Sequence, residues 1–202
     1  MTDVLIPGGR DVRGRLEEPD FEADAIVVVC PPHPQQGGSS TDPRLLAVTD
    51  ALETAGIASL RFEYGPWDVG YGELEDVRNA VRWAAERYDR VGLFGYSFGG
   101  GLALLAADGL EGRLESISVL APPTRLAEDL DALRAYDGLE LPAQVCYGER
   151  DQTVESDPIV ECARAREDEV RSVPADHFFL GTQADIASAV ASFFERTLLE
   201  ES

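Results

Sequence analysis

The sequence predicts a three-layer α/β/α sandwich with a mostly parallel central sheet and an N-terminal antiparallel hairpin. Three observations carry this. Ala25-Ile26-Val27-Val28-Val29-Cys30 is a continuous apolar, β-branched run, the pattern of a strand buried on both faces. From there to the end, strand-like and helical segments alternate, as a parallel sheet with crossover helices requires. Roughly 20 residues separate the strand near 120 from the strand near 145, enough for one crossover and too few for an inserted domain. The 202 residues fit one domain, 1–202, with a sizeable core.

The elements follow in order. Residues 2–6 and about 11–17 read as short strands, and Pro7-Gly8-Gly9 between them suggests a hairpin. After the strand at 25–30, the stretch 31–41 is too rich in Pro and Gly for an element. Asp42-Pro43 opens a helix, with Asp as N-cap and Pro at N1, and Gly56 stops it. A strand at 57–62 leads into a second irregular loop, 64–72. Leu74, Val77, Ala80, Val81 and Ala84 place an amphipathic helix over 73–88. A strand at 90–94 runs into Gly95-Tyr96-Ser97-Phe98-Gly99, and a small-residue helix, 100–107, leaves it. A strand over 114–121, a short helix over 125–136 and a strand over 142–147 come next. Asp157-Pro158 repeats the N-cap and Pro device and starts a helix to about 167. The last strand is 169–173. Thr182 with Asp185 reads as a capping box for a final helix, about 183–199.

The chemistry centres on G-x-S-x-G. In a strand–turn–helix setting this pattern means a nucleophile elbow, whose serine is held strained and exposed above the sheet. Gly95 and Gly99 leave room where a Cβ would collide with the neighbouring turn. The Phe98 N–H opens a helix and can face an oxyanion. Ser97 then needs a base, and the chain holds two His, His33 and His177. His177 lies in the last strand–helix loop. The base needs an acid to orient it, and Asp151 follows a strand one crossover earlier. Glu149 is the other carboxylate there but lies closer to the strand end. All these loops follow strands, so they gather on one sheet edge, where ligands of open α/β sheets sit. For a second oxyanion amide, Pro31, Pro32 and Pro34 offer no N–H. That leaves Gln35 or Gln36, with Gln35 favoured, and Gly37 and Gly38 to let the backbone bend close. His33 reads as positioning this loop. Trp67, Tyr96 and Pro123 are candidate substrate-binding walls, with plain packing as the alternative.

Composition limits the rest. Against 38 acidic residues stand 17 basic ones, every one Arg, for a formal net charge of −21. Such a surface repels nucleic acid and anionic membranes. With no Lys, it resembles halophilic proteins, for which molar salt screens self-repulsion. Cys30, Cys146 and Cys162 form no C-x-x-C and read as small buried hydrophobes in a reducing compartment. No apolar run is long enough for a bilayer and no signal peptide is visible, so the expected location is cytoplasmic.

Gly-Tyr-Ser-Phe-Gly-Gly, Pro-His-Pro-Gln-Gln-Gly-Gly, Gly-Glu-Arg-Asp and Ala-Asp-His-Phe-Phe together resemble the α/β-hydrolase superfamily. The likeness is to its small lidless members, the dienelactone-hydrolase-like group with a His-Pro-His-Pro-x-x-Gly-Gly loop, and spans nearly the whole chain. It implies Ser97 as nucleophile, His177 as base and Asp151 as acid, in the superfamily's chain order. Two places depart. Pro31 stands where the loop has its first His, and 63–70 (Glu-Tyr-Gly-Pro-Trp-Asp-Val-Gly) replaces Asn-Phe-Arg-Gly-x-Gly-x-Ser. Dienelactone hydrolase itself uses a Cys nucleophile, so its substrate does not carry over. The expected activity is hydrolysis of a small acyl substrate, an ester or related compound, without metal or organic cofactor. A peptidase or thioesterase on the same triad, or a non-catalytic binding protein of the same fold, are the alternatives. The oligomeric state is left open.

Overall fold

A computed structural model describes residues 1–110 and 112–200. It contains one eight-stranded sheet in the order β1-β2-β4-β3-β5-β6-β7-β8. The strands are β1 (Thr2–Ile6), β2 (Val12–Glu17), β3 (Ala25–Cys30), β4 (Ala58–Glu63), β5 (Arg90–Tyr96), β6 (Ser116–Leu120), β7 (Ala143–Gly148) and β8 (Glu169–Val173). β1 and β2 form an antiparallel hairpin, β2 runs antiparallel to β4, and every pairing from β4 to β8 is parallel.

The central strand β3 shows why the layers form. Its side chains alternate between two separate cores: Ala25, Val27 and Val29 face one, Ile26, Val28 and Cys30 the other. Helices α1 (Pro43–Thr54) and α6 (Gln183–Leu198) cover the first face, through Leu45, Val48, Leu52, Val190 and Phe194. Helices α2 (Tyr71–Ala85), α3 (Phe98–Ala107), α4 (Ala132–Asp137) and α5 (Asp157–Ala165) cover the second. Among the described residues, no helix is long and apolar enough to cross a membrane.

Several helix starts differ from the sequence reading. Asp42 caps α1 as expected, accepting the Arg44 N–H at 2.9 Å. α5 begins one residue earlier than read: Ser156 is its N-cap and Asp157 its first residue. The Ser156 hydroxyl is not capping, because it donates to the Pro122 carbonyl at 2.9 Å. The capping box at Thr182 is absent, since the Thr182 hydroxyl donates back to the Phe179 carbonyl at 3.1 Å. α2 starts at Tyr71, two residues before the expected Glu73, on a left-handed Gly70. α3 starts at Phe98 rather than Gly100. The helix read over 125–136 is only α4; ahead of it, Arg125 and Asp131 pair by backbone bridge and ion pair and close 125–131 into an irregular loop. Inside the stretch 31–41, Pro34–Gln36 forms a 3₁₀ turn that the Pro and Gly content had hidden. Of the three cysteines, Cys30 and Cys146 are buried as expected, but Cys162 is only half-buried, with its Sγ 3.7 Å from Asp137 Oδ1.

Candidate active site

β5 ends at Tyr96 and α3 begins at Phe98, so Ser97 alone must turn the chain. It does so at φ 55° and ψ −121°, a conformation that costs a non-glycine residue energy and survives only under constraint. The constraint is visible on both sides. The Ser97 N–H donates to the Leu120 carbonyl at 2.8 Å, and its own carbonyl accepts the Gly101 N–H at 3.1 Å. A Cβ on Gly95 would lie 2.2 Å from the Gly99 carbonyl oxygen. One on Gly99 would lie 2.4 Å from the carbonyl oxygens of Cys30 and Pro31. The second glycine therefore makes room for the end of β3, not for the turn itself.

The Ser97 hydroxyl stands 3.0 Å from His177 Nε2, and His177 Nδ1 stands 2.7 Å from Asp151 Oδ2. A carboxylate only accepts, so the imidazole proton belongs on Nδ1 and the Nε2 lone pair faces the serine. Both polar partners are buried, with side chains 7% and 5% exposed for His177 and Asp151. Asp151 is held by its other oxygen, Oδ1, which accepts the N–H groups of Thr153 at 2.8 Å and Val154 at 3.2 Å. The loops of Asp151 and His177 are laced together beyond the strand ends: the Glu149 and Arg150 amides donate to Val173 and Ala175. Gly148 permits this, since a Cβ there would meet the Ala175 carbonyl oxygen at 2.8 Å. Glu149, the rival carboxylate, faces solvent.

Around Ser97 lies a cavity of about 440 Å³, and Trp67, Tyr96 and Pro123 all line it. A larger one, about 930 Å³, shares Arg125 with it and includes none of Ser97, Asp151 and His177. Several wall residues escaped the sequence reading. Val69, Leu126 and Phe178 belong to loops whose path no local pattern predicts. Arg44 sits in the first turn of α1, its guanidinium 4.8 Å from the Tyr96 ring centre and paired with Asp42. Its Nη1 donates to the Phe178 carbonyl at 2.8 Å, beside His177.

Gln35 is the residue whose placement departs from expectation. Its N–H donates to His33 Nδ1 at 3.2 Å, and it lies outside the cavity wall. The Gln36 N–H is also taken, by the His33 carbonyl at 3.0 Å. Both amides are spent inside the 3₁₀ turn that His33 caps. The amide left over is that of His33 itself, which enters no hydrogen bond among the described residues. The signal was present in the sequence: His33 is the one residue of 31–34 that has an N–H. The His33 ring packs between Trp67 and Phe98, each with centroids 4.7 Å away. Burial pushes this imidazole below its ordinary value, while the charge of Glu73 opposes the shift. Gly38 is needed because the loop folds back on itself; a Cβ there would lie 2.4 Å from the Pro32 carbonyl oxygen. The far end of the loop is anchored by the Ser40 N–H, which donates to Glu63 Oε1 at 2.8 Å.

No protein-family model matches the chain, and no curated protein matches its sequence. Solved structures do match its fold. A serine hydrolase without a lid from Xanthomonas campestris is 23% identical, with a TM-score of 0.81 over 100% of this chain and 96% of that one. Est1E from Butyrivibrio proteoclasticus, solved with ferulic acid bound, is 16% identical, with a TM-score of 0.85 over 99% and 100%. An esterase from Pyrococcus furiosus is 18% identical, with a TM-score of 0.81 over 98% and 91%. The chain has the lidless α/β-hydrolase fold.

Proposed function

We propose that this chain, an α/β hydrolase in fold, is a serine hydrolase that cleaves a small ester through an acyl-enzyme. The observation that carries the reading is the hydrogen-bonded line from Ser97 through His177 to Asp151, at 3.0 and 2.7 Å. In this mechanism the Ser97 proton passes to His177 Nε2 as Oγ attacks the carbonyl carbon. Asp151 stabilises the imidazolium without taking its proton. The carbonyl oxygen gains charge and is met by the N–H groups of Phe98 and His33. The carbon–oxygen ester bond then breaks, and His177 returns the proton to the leaving alcohol. Water enters, loses a proton to His177 and attacks the acyl carbon. Ser97 leaves as the alcohol and a carboxylic acid is released.

The lidless fold supports a small, soluble substrate, and the open cavity agrees with it. Ferulic acid in Est1E, beside the wall of Trp67, Phe98 and His33 here, favours an aryl acyl group. Thioesters and peptides are the other acyl compounds this chemistry reaches. A small-molecule substrate, not nucleic acid, fits the surface charge of −21, and a salt-rich cytoplasm suits both that charge and the free cysteines.

Hydrolysis of a short-chain nitrophenyl ester, with fluorophosphonate labelling, tests the reading. Wild type is expected to turn over and to label at Ser97. Ser97→Ala should lose ~10⁴-fold or more in rate, as triad serines do, and should not label. Undiminished activity in Ser97→Ala would show the assignment to be wrong.

A further inference from the structure

The loop between β4 and α2 closes one side of the cavity, and it is strained. Val69 sits at φ 58°, a region that a β-branched residue enters only when forced. Gly70 follows at φ 97°. Val69 is 57% exposed, so burial of its own side chain does not hold it there.

Glu73 holds it. Its side chain is fully buried, and its two oxygens divide the work: Oε1 accepts the Asp68 N–H and Oε2 the Gly70 N–H, each at 2.8 Å. The two amides flank Val69. A helix cap would need the Gly70 amide alone; the Asp68 bond lies outside the helix and fixes the loop. Arg10, 3.7 Å from Glu73, adds further ties. Its Nε donates to Asp76 Oδ1 at 2.8 Å and its Nη2 to the Pro66 carbonyl at 2.6 Å. Asp76 Oδ2 accepts the Gly65 N–H at 2.9 Å. Space for Arg10 depends on Gly72, where a Cβ would lie 2.2 Å from the guanidinium.

Between these ties stands Trp67, stacked on His33 at 4.7 Å and 5.7 Å from Phe98. Those are the two residues whose amides face the oxyanion in the hydrolase reading. Burying the Glu73 and Asp76 carboxylates under one short loop, with Arg10 partly exposed beside them, is costly, and an apolar plug would serve stability as well. The charged set instead pins backbone amides, which an apolar plug could not do.

We propose that Glu73 is a positioning residue for the oxyanion site: by gripping the amides on either side of Val69 it keeps Trp67 against the His33 ring and so fixes the His33 N–H. The inference rests on the hydrolase reading above.

The test is a double-variant cycle in Glu73→Gln and Trp67→Leu, read as kcat and KM on the nitrophenyl ester. Gln keeps the shape but can accept only one of the two amides. Glu73→Gln should lower kcat roughly tenfold or more, a part of the 10²–10³ that a lost oxyanion donor costs, with KM little changed. Trp67→Leu should lower kcat similarly, and Trp67→Phe should restore most of it. The double variant should be no slower than the slower single one, because both act through His33. Wild-type kcat in Glu73→Gln, or losses that multiply, would overturn the proposal. If Glu73→Gln does not fold, the half-exposed Trp67 decides: an unchanged kcat in Trp67→Leu overturns it equally. A wild type that neither hydrolyses the ester nor labels overturns the hydrolase reading instead, and this inference with it.

Discussion

The Tyr96 hydroxyl donates to the His177 carbonyl at 2.8 Å, so the residue before Ser97 holds the loop that bears His177. Burial pushes this phenol up to about 12, so it stays protonated, and a donor, across the working range of pH. Arg44 reinforces the same loop from above, stacked on the Tyr96 ring and donating to Phe178. Tyr96→Phe removes the hydrogen bond and keeps the ring. It is expected to cost about 1 kcal/mol of stability and to lower kcat severalfold with KM little changed. Thermal melts and steady-state kinetics measure both; an unchanged kcat would mean that the other ties of the loop suffice.

The elbow glycines make a steeper prediction. Gly95→Ala and Gly99→Ala bring a Cβ within 2.2 and 2.4 Å of backbone oxygens, which have no rotamer to escape by. Overpacking of this kind costs about 1–3 kcal/mol or more. Each variant should melt several degrees lower and lose hydrolysis. Gly101→Ala serves as the comparison, because its nearest neighbours are the side-chain ends of Leu126 and Pro123 at 3.1 and 3.2 Å. It should lose far less of both. Equal melting temperatures for all three would refute the steric account.

His33 carries a pH dependence. Its Nδ1 accepts the Gln35 N–H, which only the unprotonated nitrogen can do. The folded value lies below the ordinary 6.5, so below that pH the unfolded chain binds more protons than the folded one. The His33 contribution is therefore complete above about 6.5 and is lost as pH falls through the lowered folded value. His33→Asn keeps a capping side chain that does not titrate. Melting curves from about pH 4.5 to 8 should show an acid-side loss in wild type that His33→Asn lacks. Parallel curves would rule this out.

Salt should matter more than for a balanced surface. The net charge of −21 arises from 38 acidic residues against 17 arginines. At roughly 1 M salt the screening length falls to about 3 Å, and repulsion between neighbouring carboxylates fades. The melting temperature should rise between low salt and molar KCl. A flat response would remove the case for adaptation to high salt.

Sequence reasoning reached furthest where one residue's chemistry suffices. The buried run at 25–30 is β3 at the centre of the sheet, the Asp42-Pro43 device starts α1, and the elbow motif sits between β5 and α3. Such features depend on periodicity, on capping donors and on glycine's missing Cβ, all of which act over a few residues. It went astray at Thr182, whose hydroxyl is caught by the Phe179 carbonyl, and at Asp157, which was read as an N-cap but is the first residue of α5. It also missed at Gln35, where a local cap by His33 consumes the amide that elimination had assigned to the oxyanion.

By itself, then, the sequence determined an alternating α/β chain and the three side chains able to form a Ser, His and Asp line. Only the tertiary structure decided that Ser97, His177 and Asp151 meet within hydrogen-bond distance, that the His33 amide is open, and that Glu73 reaches back to clamp Val69. The physical reason is range. Periodicity and turn chemistry are written in neighbours along the chain. Which side chains meet depends on groups brought together from distant segments, such as Ser97 with His177 or Arg10 with Asp76.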